Sequence, residues 1–172
     1  MQEYYSITYI GNMEMKNYFI DFFYFNDSAN KKLLNKIMAL PDKTPCIRLF
    51  SHLINCQYKW MARITEHPEA ESMSWWEPVY FLEDLSGEWE KSFSPFPKYL
   101  SALNESDFSK KLVFPRPGND LWTATLEDVM LQLNYHSIHH RAQMQLLIRQ
   151  QGLTPDPIDY ILTKYKRIDI SI

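Results

Sequence analysis

The chain has 172 residues, of which 45% are apolar and 15% aromatic; this composition can build the core of one ordinary domain and excludes a disordered chain. Its net charge of −3, without a block of basic residues, excludes a protein that binds DNA or RNA through the phosphates. Two isolated cysteines exclude a disulfide framework and favour a reduced, cytoplasmic protein, and the longest apolar run, YFIDFFYF, is too short to cross a membrane.

Two long helices are predicted in the first part of the chain, after an extended arm at residues 1–12. A helix over 13–40 is indicated by side chains that recur at three- and four-residue steps, namely Phe19, Phe22, Phe23, Asn26, Asn30, Leu33, Leu34 and Ile37. The segment PDKTP then breaks the chain. Pro45 suits a first helical position, so the second helix should run from about 45 to 66.

The rest of the chain predicts two more helices separated by an extended excursion. A third helix over 84–103 contains Pro95 and Pro97, which predict a kink or two pieces. Apolar alternation on both sides of Gly118-Asn119 predicts a small hairpin. Thr125 and Asp128 resemble a capping box and open a fourth helix over 125–151, and a short last helix should start near Pro157.

These elements predict an all-α fold. Four helices with short links favour an up-and-down four-helix bundle, with a short extended hairpin excursion and a short C-terminal helix. We expect a single helical domain over residues 13–172, preceded by the arm at 1–12.

Three of the five histidines lie within NYHSIHH in the predicted fourth helix. On a helical wheel, His140 falls inside the apolar arc and His136 at its border, whereas His139 points to a different side. His136 and His140 are four residues apart and therefore stack on one face, where two imidazoles can bind one metal ion. The alternative is a polar pair at the margin of the core.

A third ligand is available from the predicted second helix. His52 borders the apolar arc of that helix, which contains Leu49, Phe50, Leu53, Ile54, Trp60, Met61 and Ile64. Alone, His52 is best read as a histidine at the edge of the core. Together with His136 and His140 it favours a three-histidine site.

The segments that carry these histidines resemble the DinB/YfiT-like family of metalloenzymes. YFNDSANKKLL is similar to the family's first-helix pattern, LFSHLINCQYKWMARI to its second helix, NYHSIHHRAQMQLLIRQQG to its HxxxHRxQ helix and PDPIDYILTKY to its usual end. The similarity spans most of residues 13–165, with Ser28 standing where the family often has tryptophan.

The resemblance implies a four-helix bundle with one divalent metal, commonly zinc or nickel, on three histidines: His52, His136 and His140. Some relatives activate a low-molecular-weight thiol such as bacillithiol or mycothiol. The resemblance therefore implies a metal-dependent enzyme acting on a small molecule, of the thiol transferase or hydrolase type. The alternative is a non-catalytic stress-response or binding protein of the same fold, in which the metal is structural or absent.

We also expect a homodimer, because the family is often dimeric. A second apolar stripe on the predicted fourth helix could face the partner, and it consists of Leu131, Tyr135, Ile138 and Leu146.

Residues around the predicted site have competing interpretations. The aromatic side chains of Trp75, Trp76, Phe96 and Trp122 either wall a pocket or anchor the core and loops. Cys56 is either a small buried residue or a thiolate at the site, and Arg141 is either solvated or ion-paired, or binds an anion. Asn134 and Asp159 are candidate acceptors for the N–H of a metal-ligating histidine.

Overall fold

The computed structural model describes residues 14–115, 118 and 120–167, and the predicted arm at 1–12 lies outside the described residues. The chain is mostly helical. Its α-helices are α1 (Met15–Met38), α2 (Thr44–Ile64), α3 (Leu85–Phe93), α4 (Pro95–Ser101) and α5 (Leu126–Gln150). Its strands are β1 (Lys111–Pro115) and β2 (Leu121–Thr125), and single 3₁₀ turns lie at Glu105–Ser109 and Tyr160–Thr163. Among the described residues, no helix is both long and apolar enough to span a membrane.

The core lies between the helices and is built from the predicted periodic positions. All eight side chains predicted for the inner face of α1 are buried. α5 packs against both α1 and α2, while α3 packs mainly against α2 and α4 against α1. Aromatic rings join these layers, with Phe23 stacked on Phe96 and Phe50 packed against Trp89. The result is one continuous apolar cluster that holds α2 and α5 side by side.

The helix directions do not alternate as the predicted up-and-down arrangement requires. Phe50 packs against Trp89 and Gln57 accepts a hydrogen bond from Ser92, so α2 and α3 run in the same direction. Asp42, which follows α1, hydrogen-bonds to Gln151, which follows α5, so the C-terminal ends of these two helices lie side by side. The prediction of alternating directions is wrong because the segment 65–84, which contains no helix or strand, returns the chain before α3 begins.

The breaks predicted from proline and glycine are present. α3 ends at Phe93 and α4 begins at Pro95, so the third predicted helix is in two pieces. β1 and β2 pair antiparallel, with Val113 opposite Thr123. The predicted last helix is a single 3₁₀ turn that starts at Tyr160, because Pro155 and Pro157 disfavour helical backbone at the residues before them.

A buried polar network joins α1 to α5 and fixes how they align. Asn26 hydrogen-bonds to Asn134 and Arg141, and Asn30 donates to Ser137 at 2.9 Å. Arg141 also donates to Ser137, and its guanidinium lies over the ring of Phe25 at 5.4 Å. Burial lowers the pKa of Arg141 to about 10. Because an unpaired buried polar group is costly, sliding α5 along α1 would break this network at a high cost.

The N-terminus of α5 provides a test of its local stability. The Thr125 hydroxyl accepts from the Asp128 backbone N–H at 3.1 Å, and the Asp128 carboxylate accepts from the Thr125 N–H at 2.9 Å. We predict that Thr125→Ala lowers the free energy of unfolding by about 1 kcal/mol, the usual cost of a lost helix cap. Urea unfolding would measure the loss.

The effect of Thr125→Ala should also depend on pH. Hydrogen bonds from Thr125 hold the pKa of Asp128 below its usual value, so the stabilisation is present above the ordinary carboxyl range and disappears as the pH falls through the pKa of Asp128 in the folded protein. Thr123→Ala, at an exposed position of β2, is the matched control. Equal losses in the two variants, or a loss that is unchanged in acid, would contradict the role of the cap.

Candidate metal centre

His52 lies on the inner side of α2, and its ring is fixed on two sides. Its Nδ1 donates to the backbone carbonyl of Trp75 at 2.6 Å, because a carbonyl oxygen only accepts. The indole of Trp76 stacks on the imidazole, with the ring centroids 3.8 Å apart and an angle of 11° between the planes. The side chain is only 5% exposed. Nε2 of His52 is therefore left facing α5.

His136 and His140 meet His52 from α5. Nε2 of His136 lies 2.9 Å from Nε2 of His52, and the ring centroids of His52 and His140 are 4.8 Å apart. Nδ1 of His140 donates to the Gln143 side-chain oxygen at 2.7 Å, which leaves its Nε2 without a proton. The structure thus brings together the three histidines that the sequence predicted.

Cys56 is a fourth member of this cluster. It lies one turn beyond His52 on α2, and its Sγ is 3.6 Å from Nε2 of His52 and 3.7 Å from Nε2 of His136. The donor atoms of His52, Cys56 and His136 all lie within 4.8 Å of one another. Imidazole nitrogen and thiolate sulfur are the donors that zinc and similar divalent ions prefer, so these residues fit such an ion.

The electrostatics of the cluster favour neutral imidazoles. Burial lowers the pKa of His52 and His140, and burial together with the neighbouring histidines lowers the pKa of His136 to about 4. Burial raises the pKa of the Cys56 thiol to about 12. At neutral pH the histidines are therefore uncharged, which is the form that binds a metal.

A row of polar side chains on successive turns of α2 holds the segment that carries Trp75 and Trp76. Ser51 accepts from the Tyr80 backbone N–H, and Asn55 donates to the carbonyl of Pro78. Further along, two longer side chains continue the row. Lys59 Nζ donates to the carbonyls of Glu71 and Met73, and Arg63 forms a two-pronged ion pair with the Glu71 carboxylate.

This row influences the orientation of His52 through the segment of chain that it holds. It fixes the backbone of residues 71–80 against α2, and Trp75 within that segment holds the ring of His52. We call Ser51, Asn55, Lys59 and Arg63 the tether row. The orientation of His52 therefore depends on residues up to three turns away along the same helix.

A cavity of about 540 Å³ opens beside the histidines. Its wall is mostly apolar and aromatic, and it consists of His52, Cys56, Trp60, Arg63, Trp75, Phe114, Pro115, Gln132, Leu133 and His136. Cavities of roughly 300–1,000 Å³ with apolar walls and a few polar groups are typical of small-molecule sites. The histidine cluster forms one end of such a cavity.

Not every residue that the sequence singled out lies at this centre. Trp75 lines the cavity and Trp76 stacks on His52, but Phe96 is fully buried in the core against Phe23. Asn134 bonds to Asn26 and to the carbonyl of Met130 instead of to a histidine, and Asp159 lines a different cavity. Arg141 is buried and donates to Asn26 and Ser137, and it forms no ion pair with any residue that the structure describes.

Sequence reasoning missed the partners that orient the histidines. One is a backbone carbonyl, that of Trp75, and side-chain patterns do not reveal backbone acceptors. The other is Gln143, three residues after His140 on the same helix. That spacing could have indicated it, because residues three apart on a helix are neighbours.

One comparison with known proteins gives a result. The model of the DinB family matches residues 46–169. No curated protein and no solved structure matches the chain significantly. The matched range includes all three histidines, Cys56 and the tether row.

The hydrogen bonds predict the tautomers of the metal-free protein. His52 should carry its proton on Nδ1, where the Trp75 carbonyl accepts it, and His136 should carry its proton on Nε2 and donate it to His52. Long-range ¹⁵N–¹H correlation spectra of metal-free protein at neutral pH would identify both tautomers. A proton on Nε2 of His52 would contradict the proposed orientation of this ring.

Proposed function

Since the chain belongs to the DinB family, we propose that it binds one divalent metal ion and acts as a metal-dependent enzyme on a small molecule, of the thiol transferase or hydrolase type. The observation that supports this most directly is the convergence of histidines from α2 and α5 at the end of an apolar cavity. A metal at that point would be exposed to a ligand in the cavity and shielded from water elsewhere.

We propose His52, His136 and His140 as the ligands, and zinc or nickel as the metal. His52 and His140 each donate their Nδ1 proton to a neighbouring oxygen, which orients the ring and leaves Nε2 for the metal. Three neutral ligands leave the charge of the ion uncancelled. When bound, such an ion supplies Lewis-acid chemistry that lowers the pKa of a coordinated thiol or water towards neutrality.

The same residues suggest how a substrate would be held. The cavity wall next to the histidines is mostly apolar, and a ligand that filled it would displace water there and so strengthen electrostatic interactions. Gln132 lies one turn before His136 on α5 and lines the cavity, so its amide is available to a polar group of the substrate. A thiol cofactor would occupy this cavity with its sulfur at the histidine end.

We further propose that the helices form a four-helix bundle, with α3 and α4 together as one member. α5 packs against both α1 and α2, and the α3–α4 pair packs against the same two helices, which supports this proposal. In such a bundle the proposed metal site would lie between α2 and α5, and the polar network between α5 and α1.

A second candidate function is binding of a small molecule in the cavity without catalysis. The cavity wall is apolar enough to bind a small molecule without metal, so a non-catalytic binding protein would have the same fold. In that case the protein would be purified without metal, and loss of His136 would leave its melting temperature unchanged.

We propose a homodimer that forms through the outer face of α5. Tyr135, Ile138 and Leu146 are exposed apolar side chains on this helix, and a partner would bury them. Sedimentation equilibrium should give twice the mass of the chain, and Ile138→Glu with Leu146→Glu should give the mass of a single chain. A monomeric wild type would refute this part of the proposal.

The metal site is tested by elemental analysis of purified protein and its variants. We expect about one ion per chain in the wild type. His52→Ala, His136→Ala and His140→Ala should each lower the affinity by more than the roughly 10–100-fold that loss of a ligand's hydrogen-bond partner costs. His67→Ala, at an exposed position after the end of α2, is the control and should keep the ion.

Cys56→Ser in the same series separates two sets of ligands. If three histidines hold the ion, Cys56→Ser keeps it and His140→Ala loses it. The opposite result would replace our assignment with a set of two histidines and one cysteine, which the distances around Cys56 also permit. A wild type that contains no metal after incubation with zinc or nickel would refute the metal site altogether.

A further inference from the structure

The residues that line the cavity beside the histidines extend along α2. His52, Cys56 and Trp60 line it from successive turns of that helix. Eight residues at 1.5 Å per residue separate the two ends of this row by roughly 12 Å. A ligand with its head group at His52 would therefore place its body against Trp60.

The far end of the cavity is built from aromatic rings. Trp60 packs against Trp75 with centroids 5.8 Å apart, and against Phe114 of β1, edge to face, at 5.4 Å. The guanidinium of Arg63 lies beside all three rings, 4.5 Å from the centre of the Phe114 ring and 5.0 and 5.2 Å from the centres of the Trp60 and Trp75 rings. A flat apolar group that enters this end would meet ring faces and edges on several sides.

The one cationic side chain that lines this cavity is already neutralised, as far as the described residues go. Nε and Nη2 of Arg63 both donate to the Glu71 carboxylate, at 3.0 and 2.7 Å. Such a two-pronged pair uses the planar edge of the guanidinium with which it would bind a carboxylate of a ligand. A negatively charged ligand body would therefore find no unpaired cation among the described residues that line this wall, since Lys59 lies over the Trp75 ring but does not itself line the cavity.

Apart from Arg63 and the residues at the histidine end, Gln132 is the polar side chain among those that line the cavity. It lies on α5, one turn before His136, and makes no side-chain hydrogen bond to any residue that the structure describes. Its amide can both donate and accept, which suits a neutral polar group such as an amide or hydroxyl.

From this arrangement we propose that the cavity binds small molecules with a neutral aromatic body, with the head group at the histidines and the ring packed against the sides of Trp60, Trp75 and Phe114 that line the cavity. This inference names the substrate class of the proposed function and rests on it for the head group. The packing of the ring depends on the cavity wall alone.

The proposal is tested with three hydroxamic acids that share one metal-binding head group. Binding to metal-loaded wild type would be measured by calorimetry and by tryptophan fluorescence, which Trp60 and Trp75 should report. We expect benzohydroxamic acid to bind about tenfold or more tightly than acetohydroxamic acid, because its ring is removed from water. 4-Carboxybenzohydroxamic acid should lose most of that advantage.

Variants of the wall locate the ring. Phe114→Ala should weaken binding of benzohydroxamic acid about tenfold and leave acetohydroxamic acid and the metal content unchanged. Val113→Ala is the matched control, because its side chain lies on the other face of β1 and is exposed. Glu71→Gln frees the guanidinium of Arg63 and should strengthen binding of the carboxylated compound relative to that of benzohydroxamic acid, a ratio in which any effect on the shared head group cancels.

Three results would overturn the inference. The first is that the wild type binds benzohydroxamic acid and acetohydroxamic acid with equal affinity. The second is that Phe114→Ala and Val113→Ala weaken binding of benzohydroxamic acid equally. The third is that the wild type binds 4-carboxybenzohydroxamic acid most tightly of the three compounds. The last result would make Arg63 an anion receptor.

A separate experiment distinguishes failure of the inference from failure of the metal site. Metal-free protein would be titrated with benzamide and acetamide, which do not need the ion. Preference for benzamide that Phe114→Ala removes would support the packing of the ring even if the protein bound no metal. Absence of that preference would refute this packing whatever the metal content.

Discussion

The hydrogen bond from His52 to the carbonyl of Trp75 is the contact on which the geometry of the histidine cluster depends. A histidine on α2 is free to rotate about two side-chain bonds, and burial alone does not decide which nitrogen faces α5. The carbonyl fixes both the proton and the ring, and the stacked indole of Trp76 closes the remaining direction. Because the acceptor is a backbone atom, the geometry of the site depends on the path of residues 71–80.

That path is determined by polar side chains buried along α2. Burying Lys59, which is only 5% exposed, costs free energy unless its ammonium group finds acceptors, and burial lowers its pKa. Its acceptors are backbone carbonyls of Glu71 and Met73, which themselves need donors because no helix or strand supplies them. Each partner therefore removes the desolvation cost of the other. This reciprocity explains why a segment without helix or strand can hold a histidine in one orientation.

Much of the fold and of the histidine cluster could be predicted from the sequence, because both depend on local patterns. Helical periodicity identifies the buried face of α1, Pro95 identifies the break between α3 and α4, and Thr125 with Asp128 identifies the start of α5. Spacing on α5 brings His136 and His140 to one side, and the position of His52 at the border of the apolar arc of α2, together with the family resemblance, adds the third histidine.

The buried polar residues of α2 could not be predicted in this way. Ser51, Asn55 and Lys59 read as a solvated face, and they are buried only because residues 65–84 fold back along the helix instead of forming a short link. The same return of the chain makes α2 and α3 run in one direction.

α2 therefore carries two functions in two adjacent rows of residues. His52, Cys56 and Trp60 face the cavity, whereas Ser51, Asn55 and Lys59 hold the segment outside it. The rows are offset by one residue and share the four-residue step that places side chains on successive turns. Arg63, the next residue in the tether row, belongs to both, because it lines the cavity and holds Glu71. The polarity of the cavity and the orientation of His52 are consequently coupled through one ion pair, because a change that releases Glu71 would leave a cation unpaired in the cavity wall and loosen the segment that positions His52.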